Sequence, residues 1–193
     1  MAFLSESMKN RAQGVYRRVR DILFNPLDTW NAIRNEDTSF AAIFREYLLI
    51  LMAVPALSRF LGWGILGVGS HFGKAIVWYC IMLLGLWGIS RLVPYLAPNF
   101  GTEVDDLSSF KLVVYSASPF LASGIFFLIP LLGVLTLGGM LYSLYVLFIG
   151  LPVMTGVAKD KAFPFSIVVS AAFVVLVYAA GLLAGGVMYP FRH

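Results

Sequence analysis

The sequence predicts an all-α polytopic membrane protein, with five transmembrane helices preceded by short amphipathic interfacial helices. Three observations carry that prediction. Of the 193 residues, 60% are hydrophobic and 12% charged, against a charged share of roughly 25% in soluble domains. Several uninterrupted apolar runs reach the ~20 helical residues needed to cross a bilayer. The run from Ile129 to Val157 also contains the charge-free stretch Leu141–Pro152, with Gly139, Ser143 and Gly150 spaced at +4 and +7. On a helix those three form a narrow stripe, and small residues on a stripe let helix backbones approach in lipid. Tyr142, Tyr145 and Ile149 flank the stripe, and Pro152 frees the carbonyl of Phe148 four residues earlier.

The elements follow in order, with residues 1–43 read as a cytoplasmic amphipathic segment and 44–193 as the five-helix bundle. Met8, Ala12, Val15, Val19, Ile22 and Leu23 make one apolar stripe over residues 8–24. Arg17, Arg18 and Arg20 lie off that stripe, where they would meet anionic lipid headgroups. The same pattern fits a helix that caps the bundle instead. Asn25 and Pro26 break this helix and start another, as N-cap and first helical residue, with Asp28 favourably placed in its first turn. Trp30 reads as an interfacial anchor.

Five spans are expected, at about 44–61, 74–96 and 107–129, then a fourth around Leu141–Pro152 within the apolar run 129–157, and a fifth at about 164–187. A glycine-rich hairpin at 62–73 joins the first two. The third is kinked at Pro119 within Tyr115-Ser-Ala-Ser-Pro119, where Ser116 or Ser118 would satisfy freed backbone groups. Only the turn at 130–133 separates spans three and four, so they should pair antiparallel. The fifth carries Gly181-Leu-Leu-Ala-Gly185, with Ala180 and Ala184 beside it, a seam for packing within the bundle or between two copies.

Counting charges gives an orientation. The N-terminal segment and the loops after spans two and four hold eleven basic residues: Lys9, Arg11, Arg17, Arg18, Arg20, Arg34, Arg45, Arg91, Lys111, Lys159 and Lys161. The opposite side holds three: Arg59, Lys74 and Arg192. Positive charge gathers on the cytoplasmic side, so the N-terminus is expected there and the C-terminus across the membrane. The net charge of +4 therefore reads as topology and not as a nucleic-acid surface.

Motifs for chemistry are rejected one by one. Gly62-Trp-Gly64-Ile-Leu-Gly67 has dinucleotide-binding spacing, but it follows no strand, and Trp87 stands where the ribose-binding acid belongs. His71 and His193 are far apart with no second metal ligand at useful spacing, and Cys80 is the sole cysteine. No cofactor or metal is expected. Arg59 and Arg91 lie near span ends and are expected to snorkel to the interface, Arg91 with Glu103, Asp105 and Asp106 on its own side.

A family resemblance sharpens this reading. Ile22-Leu-Phe-Asn-Pro26 with Thr29-Trp30 and Ile33, then Lys111-Leu-Val-Val-Tyr115-Ser-Ala-Ser-Pro119, then Tyr142-Ser-Leu-Tyr145 with Gly150-Leu-Pro152 and Lys161-Ala162, resemble the bacterial branch of the Yip family over residues 22–187. These are five-span membrane proteins named for interaction with Ypt and Rab GTPases. The resemblance implies five helices and a cytoplasmic N-terminus, and supplies no catalytic residue. The expected function is a non-enzymatic membrane organiser or adaptor that self-associates or takes a membrane-protein partner. The alternative is a small transporter or channel with a midplane site at Tyr115–Pro119 and Tyr142/Tyr145.

Overall fold

A computed structural model describes residues 2–65 and 72–186, and every described element is a helix of some kind. Helix α1 (Ala2–Phe24) and helix α2 (Pro26–Asn35) come first. Five helical segments long and apolar enough to span a membrane follow: Phe40–Gly62, Gly73–Phe100, Asp106–Leu128, Leu131–Thr155 and Lys159–Ala184. They match the five expected spans, the first beginning four residues early because Ser39 caps it by accepting from the Ala42 N–H at 3.3 Å. Much of the glycine-rich hairpin, with His71, lies outside the described residues, as do His193 and the end of the fifth span. Gly62 and Gly64 fall in the last turns of a helix, not in a strand-to-helix turn.

Span three is the hub. Of its apolar window 67% is buried, against 33% for spans one and two and 22% for spans four and five. It packs on spans one, two and four, while span five closes against two and four. Its interior position explains why it tolerates a break. The helix stops at Ser116, turns at Ala117 and restarts at Ser118, with Pro119 at the beginning of the new piece. Proline has no N–H to donate and suits a helix start. The Ser118 hydroxyl donates back to the Val114 carbonyl at 3.3 Å, as expected of a serine beside freed backbone groups, whereas the buried Ser116 hydroxyl has no partner among the described residues. Past Ser123 the chain tightens into two 3-10 stretches, Gly124–Leu128 and Pro130–Leu135, about an extended Ile129, and returns as span four.

The two N-terminal helices are not a detached preface. Val15 and Ile22 of α1, and Trp30 and Ile33 of α2, belong to one buried apolar cluster with residues of all five spans. Helix α1 lies along spans one and three, and α2 lies along span four. The apolar stripe of α1 is thus spent on the bundle at Val15 and Ile22, with Val19 partly buried beside them.

Candidate functional site

The chain places most of its unusual residues where the α1–α2 hairpin meets spans three and four. Trp30 is only 1% exposed, and its indole N–H donates to the Val146 carbonyl at 3.0 Å. This corrects the interfacial-anchor expectation: the ring is a wedge in protein, its one polar atom satisfied by span four. Gly150 makes room for it, since a Cβ there would stand 2.2 Å from Trp30 Cε2. About two helical turns toward the start of span four, the small stripe meets a different neighbour. The Ser143 hydroxyl accepts from the Phe120 N–H at 2.9 Å, a donor left free because the helix has just restarted. At Gly139 a Cβ would lie 2.1 Å from Ser123 Oγ and 2.9 Å from the Pro119 carbonyl. The three stripe residues therefore serve one seam with two partners, α2 at Gly150 and span three at Ser143 and Gly139.

Tyr142 lies beside this seam and donates its hydroxyl to the Leu23 carbonyl of α1 at 2.6 Å. Its ring sits 5.4 Å from that of Tyr145, which stays 49% exposed. Pro152 lies inside a helix that continues to Thr155. Lys111, near the start of span three, is buried and donates to the carbonyls of Ile33 at 3.1 Å and Glu36 at 2.7 Å. A cation on the last carbonyls of α2 satisfies acceptors that a helix end leaves open and complements its dipole. Asn25 makes no side-chain cap bond to α2; instead the Thr29 hydroxyl donates to the Asn25 carbonyl at 2.7 Å.

A second cluster surrounds the break in span three. The Tyr47 and Ser118 hydroxyls are 2.6 Å apart and buried, and the Tyr47 ring meets Tyr115 edge-on at 4.9 Å. With Ser118 donating to Val114, Tyr47 is the donor of this pair. Arg18 lies 5.3 Å over the Tyr115 ring and pairs with Glu36 at 2.5 Å. It faces the bundle, whereas Arg17 is exposed and Arg20 pairs with its neighbour Asp21 at 3.0 Å. Tyr115 and Pro119 are buried, so the expected midplane site is filled by Tyr47 and Arg18 from the chain itself. Tyr115 and Tyr142 both contact α1, through Arg18 and Leu23.

The remaining charges divide. Arg91 pairs with Asp106, the neighbour its position suggested. Arg59 does not snorkel; its guanidinium lies 3.9 Å from the Phe127 ring centroid and 4.9 Å from that of Trp78, with Nε buried and unpaired among the described residues. Aromatic faces attract a cation, and this pocket holds the side chain inside the bundle. Outside the spans, Asp105 caps the helix that begins span three, accepting from the Ser108 N–H at 2.9 Å. Desolvation alone would raise its carboxyl, but the bonds from Ser108 outweigh it and hold the group below the usual aspartate range.

In the fifth span, Ala180 and Ala184 are buried. Gly181 has open space where a Cβ would go. It lines a shallow apolar groove of about 330 Å³ with Leu137, Met140, Val174, Val177 and Tyr178. Gly185 lies within the helix Lys159–Gly186. Among the described residues no three His, Cys, Asp or Glu side chains gather as a metal site. Cys80 is exposed.

Five membrane-length helices, a broken central span and an N-terminal helical hairpin docked on it define an all-helical polytopic membrane protein. The family model of the Yip1 domain matches residues 20–180, and the chain belongs to that family. It is similar to "Inner membrane protein YohC" of Escherichia coli strain K12, 24% identical over 151 residues that cover 69% of this chain and 76% of the relative. The same similarity holds for "Inner membrane protein YohC" of Escherichia coli O6:H1 strain CFT073. No solved structure matches. The matched region begins inside α1 and so includes the docked turn at Asn25–Pro26, the first four spans and the fifth as far as Ala180.

Proposed function

We propose that the protein is a non-enzymatic organiser or adaptor of a bacterial inner membrane, with its N-terminus in the cytoplasm. The observation that carries this reading is the fixed hairpin. Hydrogen bonds from Trp30, Tyr142 and Lys111 hold α1 and α2 on spans three and four, so their exposed residues, Arg17 and Arg34 among them, form a fixed basic face. Such a face suits anionic headgroups or an acidic partner segment. The 11-to-3 division of basic residues supports the cytoplasmic placement, and the name of the Escherichia coli relatives supports the inner membrane. Self-association would use spans four and five, where Gly181 opens onto an apolar groove.

Site-specific photo-crosslinking in intact membranes tests the proposal. A crosslinker at Gln13 or Arg17, both exposed on α1, should give a defined protein or lipid adduct that the same crosslinker at Val175, exposed on span five, does not. A reconstituted-vesicle flux that depends on Tyr115 or Ser118 would instead establish the transporter reading, in which the polar break is a gated site.

A further inference from the structure

We propose that the bilayer surface is drawn inward beside the α1–α2 hairpin. Headgroups and water then reach the level of Tyr142 and Tyr145 on that side of the bundle alone. Four hydrogen bonds from three side chains fix the depth of the hairpin. Lys111, five residues into the span-three helix, holds the α2 end at Ile33 and Glu36. Trp30 reaches Val146, and the Leu23 carbonyl reaches Tyr142. Tyr142 lies thirteen residues before Thr155, where span four ends. At about 1.5 Å per residue this is roughly 20 Å into the bundle from that end. From the other end, eleven residues separate Tyr142 from Leu131, which is apolar and 86% exposed. That distance is at least about 16 Å of a hydrocarbon core of about 30 Å. The turn at Leu23–Pro26 therefore sits near the level of the membrane midplane.

The outer face of the hairpin is not built for hydrocarbon. Arg17, Arg20, Asn25, Asp28 and Asn31 are all exposed, interleaved with Tyr16, Phe24 and Leu27. Charged and amide groups facing acyl chains are costly, and the mixture of aromatic and charged residues is that of a membrane–water interface. Tyr145, an exposed phenol in mid-span, fits the same environment. On span five the exposed surface at this level is apolar. Only residues 156–158 join spans four and five, so Thr155 and Lys159 start level. Val168, nine residues into span five, thus matches Tyr145, ten residues from Thr155, and both Ile167 and Val168 are exposed. Lipid that solvates a polar face on one side and an apolar face on the other must thin on the first side, and bilayers thin at modest cost to relieve such mismatch. The inference holds whichever way the termini point.

Single-cysteine variants of the full chain in a Cys80→Ser background, spin-labelled and reconstituted in liposomes, test it. Accessibility to a water-soluble nickel chelate is compared with accessibility to oxygen at Asp28→Cys, Tyr145→Cys and Val168→Cys. The nickel-to-oxygen ratio is expected to be several-fold higher at 28 and 145 than at 168. Equal, oxygen-dominated ratios at all three would mean that hydrocarbon surrounds the hairpin and would overturn the proposal. Low accessibility to both reagents at 28 would mean that protein covers the face, and overturns it equally. Should Asp28→Cys fail to fold, Asn31→Cys on the same face gives the same reading.

Discussion

Gly150 and Gly181 occupy the same kind of sequence, a small residue in a small-residue stripe of a long apolar helical run, and meet opposite surroundings. Gly150 is filled to contact by the Trp30 indole, while Gly181 faces open space. The difference extends to the regions around them. The seam of spans three and four with α1 and α2 is hydrogen-bonded and interlocked at Ser143, Val146 and Tyr142. The outer face of spans four and five is a groove of Leu137, Met140 and Val174 without polar contact. A stripe shows that a helix can approach something, and the approaching element has to supply the rest.

That contrast can be broken with one pair of variants. Gly150→Leu should destabilise most, by about 3 kcal/mol or more, because the new side chain collides with an indole pinned by its own hydrogen bond. Gly181→Leu should change stability by less than about 0.5 kcal/mol, the range of surface substitutions. Thermal unfolding in detergent, with exposed Val175→Leu as control, gives both numbers, and similar losses for the two glycines would erase the distinction.

Next in size is the buried cation that ties α2 to span three. Lys111→Met keeps the length and removes the donor, leaving the Ile33 and Glu36 carbonyls short of a partner. A loss of about 2 kcal/mol is expected, accompanied by faster proteolysis within α1 and α2 than in the spans. An unchanged midpoint with intact N-terminal helices would show that the apolar contacts alone hold the hairpin.

The smallest effect lies outside the spans, at Asp105. Its carboxyl is held below the ordinary aspartate range, so the cap stabilises the native state above the unfolded-state pKa. That contribution fades as pH falls below about 4 and through the lower native value. Asp105→Ala should cost about 1 kcal/mol at neutral pH, and the gap between variant and wild type should close in acid. A gap independent of pH would assign the effect to packing.

Much of this architecture was legible in the sequence, for physical reasons that also mark where legibility stops. Hydropathy over 20-residue windows is a sum, so the five spans and the antiparallel pairing of three and four survive any local error. Proline lacks a backbone donor wherever it sits, and Pro119 and Pro26 fell at helix starts, whereas Pro152 stays inside its helix. Partner choice is a different quantity. An apolar stripe such as Val15, Val19 and Ile22 looks the same whether it meets lipid or protein, and here it meets protein. Trp30 has the composition of an anchor and the environment of a core residue. Arg59 and Lys111 have equal charge near span ends, yet one lies between aromatic rings and the other caps a helix. The signal that could have revealed Trp30 was its pairing with a glycine of matching size 120 residues later, which emerges only when two helices are laid together.

The central claim is that the N-terminal hairpin is part of the membrane bundle, through Trp30 seated on Gly150. A double-mutant cycle reads that contact directly. Gly150→Ala, Trp30→Ala and the pair are compared by unfolding in the same detergent. Two residues in contact couple, by roughly 0.5–3 kcal/mol, where separated sites add. The account predicts that Gly150→Ala is costly in the wild-type chain and nearly free once the indole is gone. Strict additivity would contradict it, because Trp30 and Gly150 would then not be reading each other at all.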